Sequence, residues 1–368
     1  MKRLLTAVLL LSVCGVLIAP ASPASAATRA DLPGMVLSST TATLPPELAP
    51  LATGKRIQYV STDVNGSLIP VTGLVITPKT NKQNKTVAWA HGTTGLADQC
   101  APSTNQNVFW PEARVAVAAL LTKGWTVAAT DYPGLGTALA HPYLIGGSEA
   151  RSIIDSVKAA RNLDGALSTQ YVIDGHSQGG QGALFASQIA PTYDGNLVLK
   201  GTAAIAPVSN VDVFAPLIPG TPGQGYLVMG LYGLQAVDNT FNPNTVLAAP
   251  AKTKTASLTT GCLNEILAAY QNLTANQLLV GGALPANVVA KLSHFDNPAQ
   301  TTPTAPIYLV QGTDDEAVPY FITHDILLPQ LQAYSQPVTF VSLNGATHDS
   351  SVILSADAVA NWITTRFA

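Results

Sequence analysis

Tyr171-Val-Ile-Asp-Gly-His-Ser-Gln-Gly-Gly180 is the stretch from which the rest of the chain can be read. Three β-prone residues, Tyr171, Val172 and Ile173, run into Gly175-His176-Ser177-Gln178-Gly179, and residues 181–190 continue as a helix-forming segment. The order strand, tight turn, helix puts a serine at the apex, with glycine two places away on either side. An apical residue in such a turn holds strained backbone geometry, and its neighbours must lack bulk because strand and helix pack closely there. The Ser177 hydroxyl then projects from the turn. The backbone N–H of Gln178 lies at a helix N-terminus, aimed where negative charge would develop. A serine so placed is a candidate nucleophile, and it needs a base, an acid to orient that base, and a second N–H donor.

Upstream, Thr86-Val-Ala-Trp-Ala90 is a short continuous apolar run, as expected of a strand buried on both faces. It ends at His91-Gly92-Thr93-Thr94-Gly95, a small-residue loop whose Thr93 N–H is the expected second donor. His91 precedes the serine and is read as a loop histidine bonded to backbone. Residues 111–123 read as a helix with Pro111 in its first turn and Gly124 beyond its end. Residues 125–130 read as the next buried strand, running into Asp131-Tyr-Pro-Gly-Leu-Gly136. Residues 148–162 read as a helix capped by Ser148, and residues 199–206 as the strand after the elbow helix. Near the start, residues 56–62 and 68–77 form a hairpin around Asn65-Gly66, preceded by an extended arm over 27–55. Alternating strands and helices imply right-handed crossovers and a mostly parallel sheet, with ligands beyond the carboxyl ends of its strands.

Between 208 and 300 the alternation stops. Proline and glycine cluster at 216–224, an apolar helical run covers 226–237, and an amphipathic segment covers 262–279. This is expected to be an inserted helical cap whose tyrosines, leucines and Met229 either face an apolar substrate or pack on the core. A strand over 306–311 then leads to Gly312-Thr-Asp-Asp-Glu-Ala-Val-Pro319, and a strand over 338–343 leads to Asn344-Gly-Ala-Thr-His348 and a helix over 351–366. Ser177, Asp315 and His348 fall in the order nucleophile, acid, base that an α/β-hydrolase uses. Asp314 could serve in place of Asp315. Asp315 is preferred because it lies three residues after Gly312 and three before Val318.

Lys2-Arg3, the apolar run 4–18 and Ala24-Ser25-Ala26 read as a signal peptide cleaved near Ala26, so the protein is expected to be exported. The expected organisation is a signal peptide at 1–26, a core at 27–207, the cap at 208–300 and the rest of the core at 301–368. Beyond the leader only Cys100 and Cys262 remain, and an even pair in an oxidising compartment reads as one disulfide. Charged residues make up 11% of the chain and the net charge is −3, which offers no basic footprint for nucleic acid. There is no H-E-x-x-H, C-x-x-C, P-loop or strand-borne G-x-G-x-x-G, so no metal and no organic cofactor is expected.

Four stretches together carry a family resemblance: Asp131-Tyr-Pro-Gly-Leu-Gly136, His141-Pro-Tyr-Leu144, Arg151-Ser-Ile-Ile-Asp-Ser-Val-Lys-Ala-Ala-Arg161 and Gly175-His-Ser-Gln-Gly-Gly-Gln-Gly-Ala-Leu184. The chain resembles the secretory lipase family, exported α/β-hydrolases with a helical lid, from about residue 55 to 368. The resemblance implies triacylglycerol lipase or carboxylesterase activity on lipid or small-molecule esters, with transient contact to a lipid interface through the cap. A short-chain carboxylesterase, an acyltransferase or a peptidase on the same fold are the competing expectations.

Overall fold

The computed structural model describes residues 32–368. The signal-peptide reading of residues 1–26 lies outside the described residues. Nine strands form one sheet: β1 (Val36–Ala42), β2 (Ala52–Thr62), β3 (Leu68–Pro78), β4 (Thr86–Ala90), β5 (Thr126–Thr130), β6 (Gln170–His176), β7 (Val198–Ile205), β8 (Ile307–Gly312) and β9 (Val338–Leu343). Their order is β1-β2-β3-β5-β4-β6-β7-β8-β9. The first three strands and the β3–β5 pair are antiparallel, and every pair from β5 through β4 to β9 is parallel. The expected α/β-hydrolase architecture is therefore present. β4 and β5 are buried along their whole length, which is why they read as unbroken apolar runs.

The hairpin forms as expected, with Thr62 opposite Leu68. Asp63 closes it by accepting from the N–H groups of Asn65 and Ser67 at 2.8 and 2.9 Å. The arm departs from expectation, because residues 36–42 join the sheet as β1. Their side chains are almost all exposed, so pairing through the backbone left no hydropathy pattern to read. Helix α1 (Pro111–Thr122) lies on one face; α2 (Gly146–Leu163) and α3 (Gln178–Tyr193) lie together on the other. Ser148 is not the cap of α2. The helix begins two residues earlier, and Ser148 is buried with its N–H on the Ile145 carbonyl.

No strand of the sheet comes from the chain between β7 and β8. That stretch carries the helices Gln224–Val237, Leu263–Tyr270 and Ala286–Asp296 with short turns between them, around an apolar cluster of its own. The amphipathic run expected over 262–279 is broken after Tyr270. Thr274 starts a new helix, Ala275–Leu278, through a capping box with Gln277. Cys100 and Cys262 are joined by a disulfide, as expected. The bridge ties the loop after β4 to this helical stretch, and beside it the Leu263 N–H donates to the Thr94 carbonyl at 2.8 Å. A closed loop spanning 162 residues of separation constrains the unfolded chain by about 5 kcal/mol in the chain-entropy account.

Candidate active site

Ser177 follows β6 directly and precedes α3, with φ 57 and ψ −117. A side chain at positive φ is strained, and here three backbone hydrogen bonds hold it. The Ser177 N–H donates to the Ile205 carbonyl at 2.9 Å, and its own carbonyl accepts from Gln181 at 3.0 Å and Val208 at 3.3 Å. The flanking glycines are required by contact. A Cβ on Gly175 would lie 2.2 Å from the Gly179 carbonyl oxygen, and one on Gly179 would lie 1.9 Å from that of Ala90. Strand, turn and helix can close this tightly only if both positions lack a side chain.

The loop after β4 packs against this turn. A Cβ on Gly92 would stand 3.5 Å from the Ser177 Cβ. Among the described residues, neither the Thr93 N–H nor the Gln178 N–H donates a hydrogen bond within the protein. Two amide donors are thus left without a partner, one on the residue after Ser177 and one on the residue after Gly92. Their side chains, by contrast, are fixed. Thr93 Oγ1 lies 2.8 Å from the Tyr143 hydroxyl, and Gln178 Nε2 donates to Glu149 Oε1 at 2.8 Å. Gln178 Nε2 also lies 3.2 Å from His141 Nε2. His141 Nδ1 faces the Pro133 carbonyl oxygen at 2.7 Å, which can only accept, so Nδ1 carries the proton and Nε2 accepts from Gln178.

His348 opens the last helix, His348–Phe367, three residues earlier than expected, because Thr347 takes the cap position. Its Nδ1 lies 2.8 Å from Asp315 Oδ2. Asp315 is held in turn by the Ala317 and Val318 N–H groups on Oδ1, at 2.9 and 2.8 Å, and by Gln311 Nε2 on Oδ2, at 2.8 Å. Asp314 is exposed, and its carboxylate accepts from the neighbouring Thr313 hydroxyl. Asp315 is the aspartate that meets His348. With a carboxylate on Nδ1, the imidazole keeps its proton there and turns a bare Nε2 outward. Ser177 and His348 line one cavity of about 620 Å³, together with Phe214, Leu217, Tyr226, Leu292 and others from the helical stretch. No hydrogen bond joins their side chains among the described residues, and such contacts often tighten only when substrate binds.

His91 takes the backbone role expected of it, with Nδ1 2.7 Å from the Gly92 carbonyl oxygen. His324 lies on the helix Ile322–Leu327, and His294 on Ala286–Asp296. The sequence reading assigned no role to His176, whose ring packs 4.5 Å from that of His348. Burial, and then the neighbouring His348, push the His176 imidazole well below its ordinary pKa, so it stays neutral. It also missed Glu112, pushed up to about 7 by burial and by Asp349. Glu149 is likewise pushed up by burial, to about 8. None of the three carries a local pattern, since each becomes relevant only through what packs on it. Among the described residues, His176, His348 and Asp349 are near enough to one another for a metal ion, with candidate donor atoms within 4.8 Å. His348 already spends Nδ1 on Asp315, which leaves only its Nε2 to offer a metal.

Burial pulls the His348 pKa down. The hydrogen bond and charge of Asp315, with Asp349 and Glu112 beyond, outweigh it and hold the pKa above the ordinary histidine value. A general base works in its neutral form, so a raised pKa moves the acidic limb of a pH–rate profile upward. Asp349→Asn removes one of the raising charges. The acidic limb of kcat/KM is then expected to move to lower pH, by about half a pH unit for an exposed, solvent-screened carboxylate. A limb that stays in place, or moves upward, contradicts this account of the base.

The family described as secretory lipase matches residues 106–368. The secreted triacylglycerol lipases LIP7 and LIP4 of Malassezia globosa are 24% and 26% identical over 320 and 332 residues. Those alignments take in 80% and 84% of this chain, and 66% and 71% of the relatives' own lengths. Among solved structures, Candida antarctica lipase A in its closed state superposes with TM-score 0.76 at 18% identity, covering 91% of this chain and 82% of that one. The rice cell wall degrading esterase LipA from Xanthomonas oryzae does so with TM-score 0.73 at 21% identity, covering 91% and 98%. At such identities the likeness speaks for the fold.

Proposed function

The chain belongs to the secretory lipase family, and from that premise we propose that it is an exported serine ester hydrolase acting on lipid esters through Ser177, His348 and Asp315. The observation that carries this reading is the Asp315–His348 hydrogen bond, with His348 lining the same cavity as a serine at positive φ.

His348 Nε2 takes the proton of Ser177 Oγ as that oxygen bonds to the ester carbonyl carbon. The carbonyl oxygen becomes an oxyanion, held by the N–H groups of Thr93 and Gln178, each such donor worth roughly 3 kcal/mol in the transition state. Collapse breaks the bond to the alcohol, which leaves with the proton from His348. Water then attacks the acyl-enzyme, giving its proton to His348, and the acid is released as Ser177 recovers the proton. Asp315 stabilises the imidazolium in both halves and keeps its own charge. The oxyanion forms beside a largely buried serine, where donors already fixed in place act more strongly than water would.

Residues 208–300 serve in this reading as a cap over a core of 27–207 and 301–368. The cap supplies most of the apolar cavity wall, and an acyl chain is the ligand chemistry that such a wall suits. Exposed Val213 and Val280 on the same stretch offer apolar surface for contact with a lipid interface. Export would follow from the leader over residues 1–26.

The test is hydrolysis of p-nitrophenyl esters from acetyl to palmitoyl by the purified protein, with labelling by a fluorophosphonate probe. Stoichiometric labelling and turnover, with a preference for the longer chains, are expected. Activity confined to acetyl and butyryl esters would favour the short-chain esterase. A folded protein that is neither labelled nor active would remove the hydrolase reading.

A further inference from the structure

Asp296 is the last residue of the helix Ala286–Asp296, a poor place for a charged carboxylate because the helix presents its negative end there. The residue is 2% exposed and lines the same cavity as Ser177 and His348, among Leu292, Tyr226 and Phe214. Its main-chain carbonyl accepts from Gln181 Nε2 at 2.7 Å, and Gln181 lies one turn beyond Ser177 on α3. The carboxyl group is thereby anchored next to the nucleophile helix. Yet among the described residues neither carboxyl oxygen has a hydrogen-bond partner, and with Oδ1 fully buried, Oδ2 is the oxygen that a ligand can reach. An unsatisfied buried polar atom costs about 1–3 kcal/mol, and a cavity wall is where such a cost is recovered when a ligand arrives.

The chemistry of that ligand follows from the surroundings. Among the described residues no lysine or arginine lines the cavity, and burial, with Glu149 nearby, pushes the Asp296 pKa well above its ordinary value, in favour of the neutral form. A neutral carboxyl group both donates and accepts a hydrogen bond. Its complement in an otherwise apolar ester is a hydroxyl group, which also does both.

We propose that Asp296 is a specificity-determining residue whose carboxyl group pairs with a free hydroxyl on the substrate, so that hydroxyl-bearing esters such as partial acylglycerols are preferred over wholly apolar ones. This rests on the ester-hydrolase reading above.

The test compares glycerol 1-monobutyrate with 2-methylbutyl butyrate, which has a methyl group in place of each hydroxyl and the same size. Burial alone favours the apolar ester in an apolar cavity, so a reversed preference isolates the polar contact. The wild-type protein is expected to show kcat/KM at least about tenfold higher for the glyceryl ester, since a site built to bond a hydroxyl penalises its absence. Asp296→Leu should collapse that ratio to about one or below, and Asp296→Asn, which still donates and accepts, should keep most of it. A wild-type ratio near one, or a ratio unchanged by Asp296→Leu, overturns the inference while leaving ester hydrolysis intact. Failure of the wild type on both esters, and on p-nitrophenyl butyrate, overturns the hydrolase reading and this inference together. If Asp296→Leu does not fold, the wild-type ratio and Asp296→Asn still decide, because an asparagine that abolishes the preference is equally contrary.

Discussion

Ser177→Ala is expected to lower kcat for p-nitrophenyl esters by about 10⁵–10⁶-fold, while the protein keeps its fold and its thermal midpoint within about 2 °C. The size follows from the role proposed for the hydroxyl, since no acyl-enzyme can form without it and a water in its place has no covalent route. The harmlessness to the fold follows from the local structure. The three backbone hydrogen bonds that hold residue 177 run through its main chain and survive the change. Alanine occupies positive φ at about the same cost as serine, and the lost atom borders the cavity rather than the packed core. Kinetics with active-site titration, together with a thermal melt, read both halves. Turnover within tenfold of wild type would eliminate Ser177 as the nucleophile.

Asp315→Asn is expected to cost about 10⁴-fold in kcat, whereas Asp314→Asn should change it by less than about twofold. The amide at position 315 is not free to choose its orientation. The Ala317 and Val318 N–H groups on one side must face an acceptor, so they fix the amide oxygen where Oδ1 now lies. That leaves the amide NH₂ facing His348 Nδ1. The imidazole must then accept at Nδ1 and carry its proton on Nε2, which is the tautomer that cannot take a proton from Ser177. Asp314 has no such contact, and its nearest side-chain partner is the Thr313 hydroxyl. Steady-state rates for the two variants at the wild-type pH optimum decide between them. Equal losses, or a larger loss at Asp314, would reassign the acid.

Both predictions concern neighbouring or apical residues whose roles differ by what touches them, and the sequence is uneven in how well it foretells this. The chain order of Ser177, Asp315 and His348, and the loop at His91–Gly95, were readable because each lies at or shortly after the carboxyl end of a strand. The choice between Asp314 and Asp315 leaned on spacing alone, since adjacent residues in a turn share every local signal. In the fold they point to different neighbours. Residues 36–42 were legible as extended chain but not as a strand, because an edge strand with exposed side chains pairs through backbone atoms common to every residue. The sequence reading leaves His348 outside its helix, whereas in the fold Thr347 takes the cap position and His348 is the first helical residue.

By itself the sequence determined the α/β alternation, the tight turn at Ser177, the cysteine pair and the secretory lipase resemblance. These rest on local periodicity, on glycines that steric contact demands, and on motifs contiguous in the chain. Tertiary structure alone decided the state of several buried carboxylates. Glu112, Glu149 and Asp296 look like ordinary helical acids in sequence, and each is changed by burial among residues tens of positions away. A carboxyl group's charge, and the bond it can make, depend on the solvent and partners around it in space, and residue type at a position carries neither.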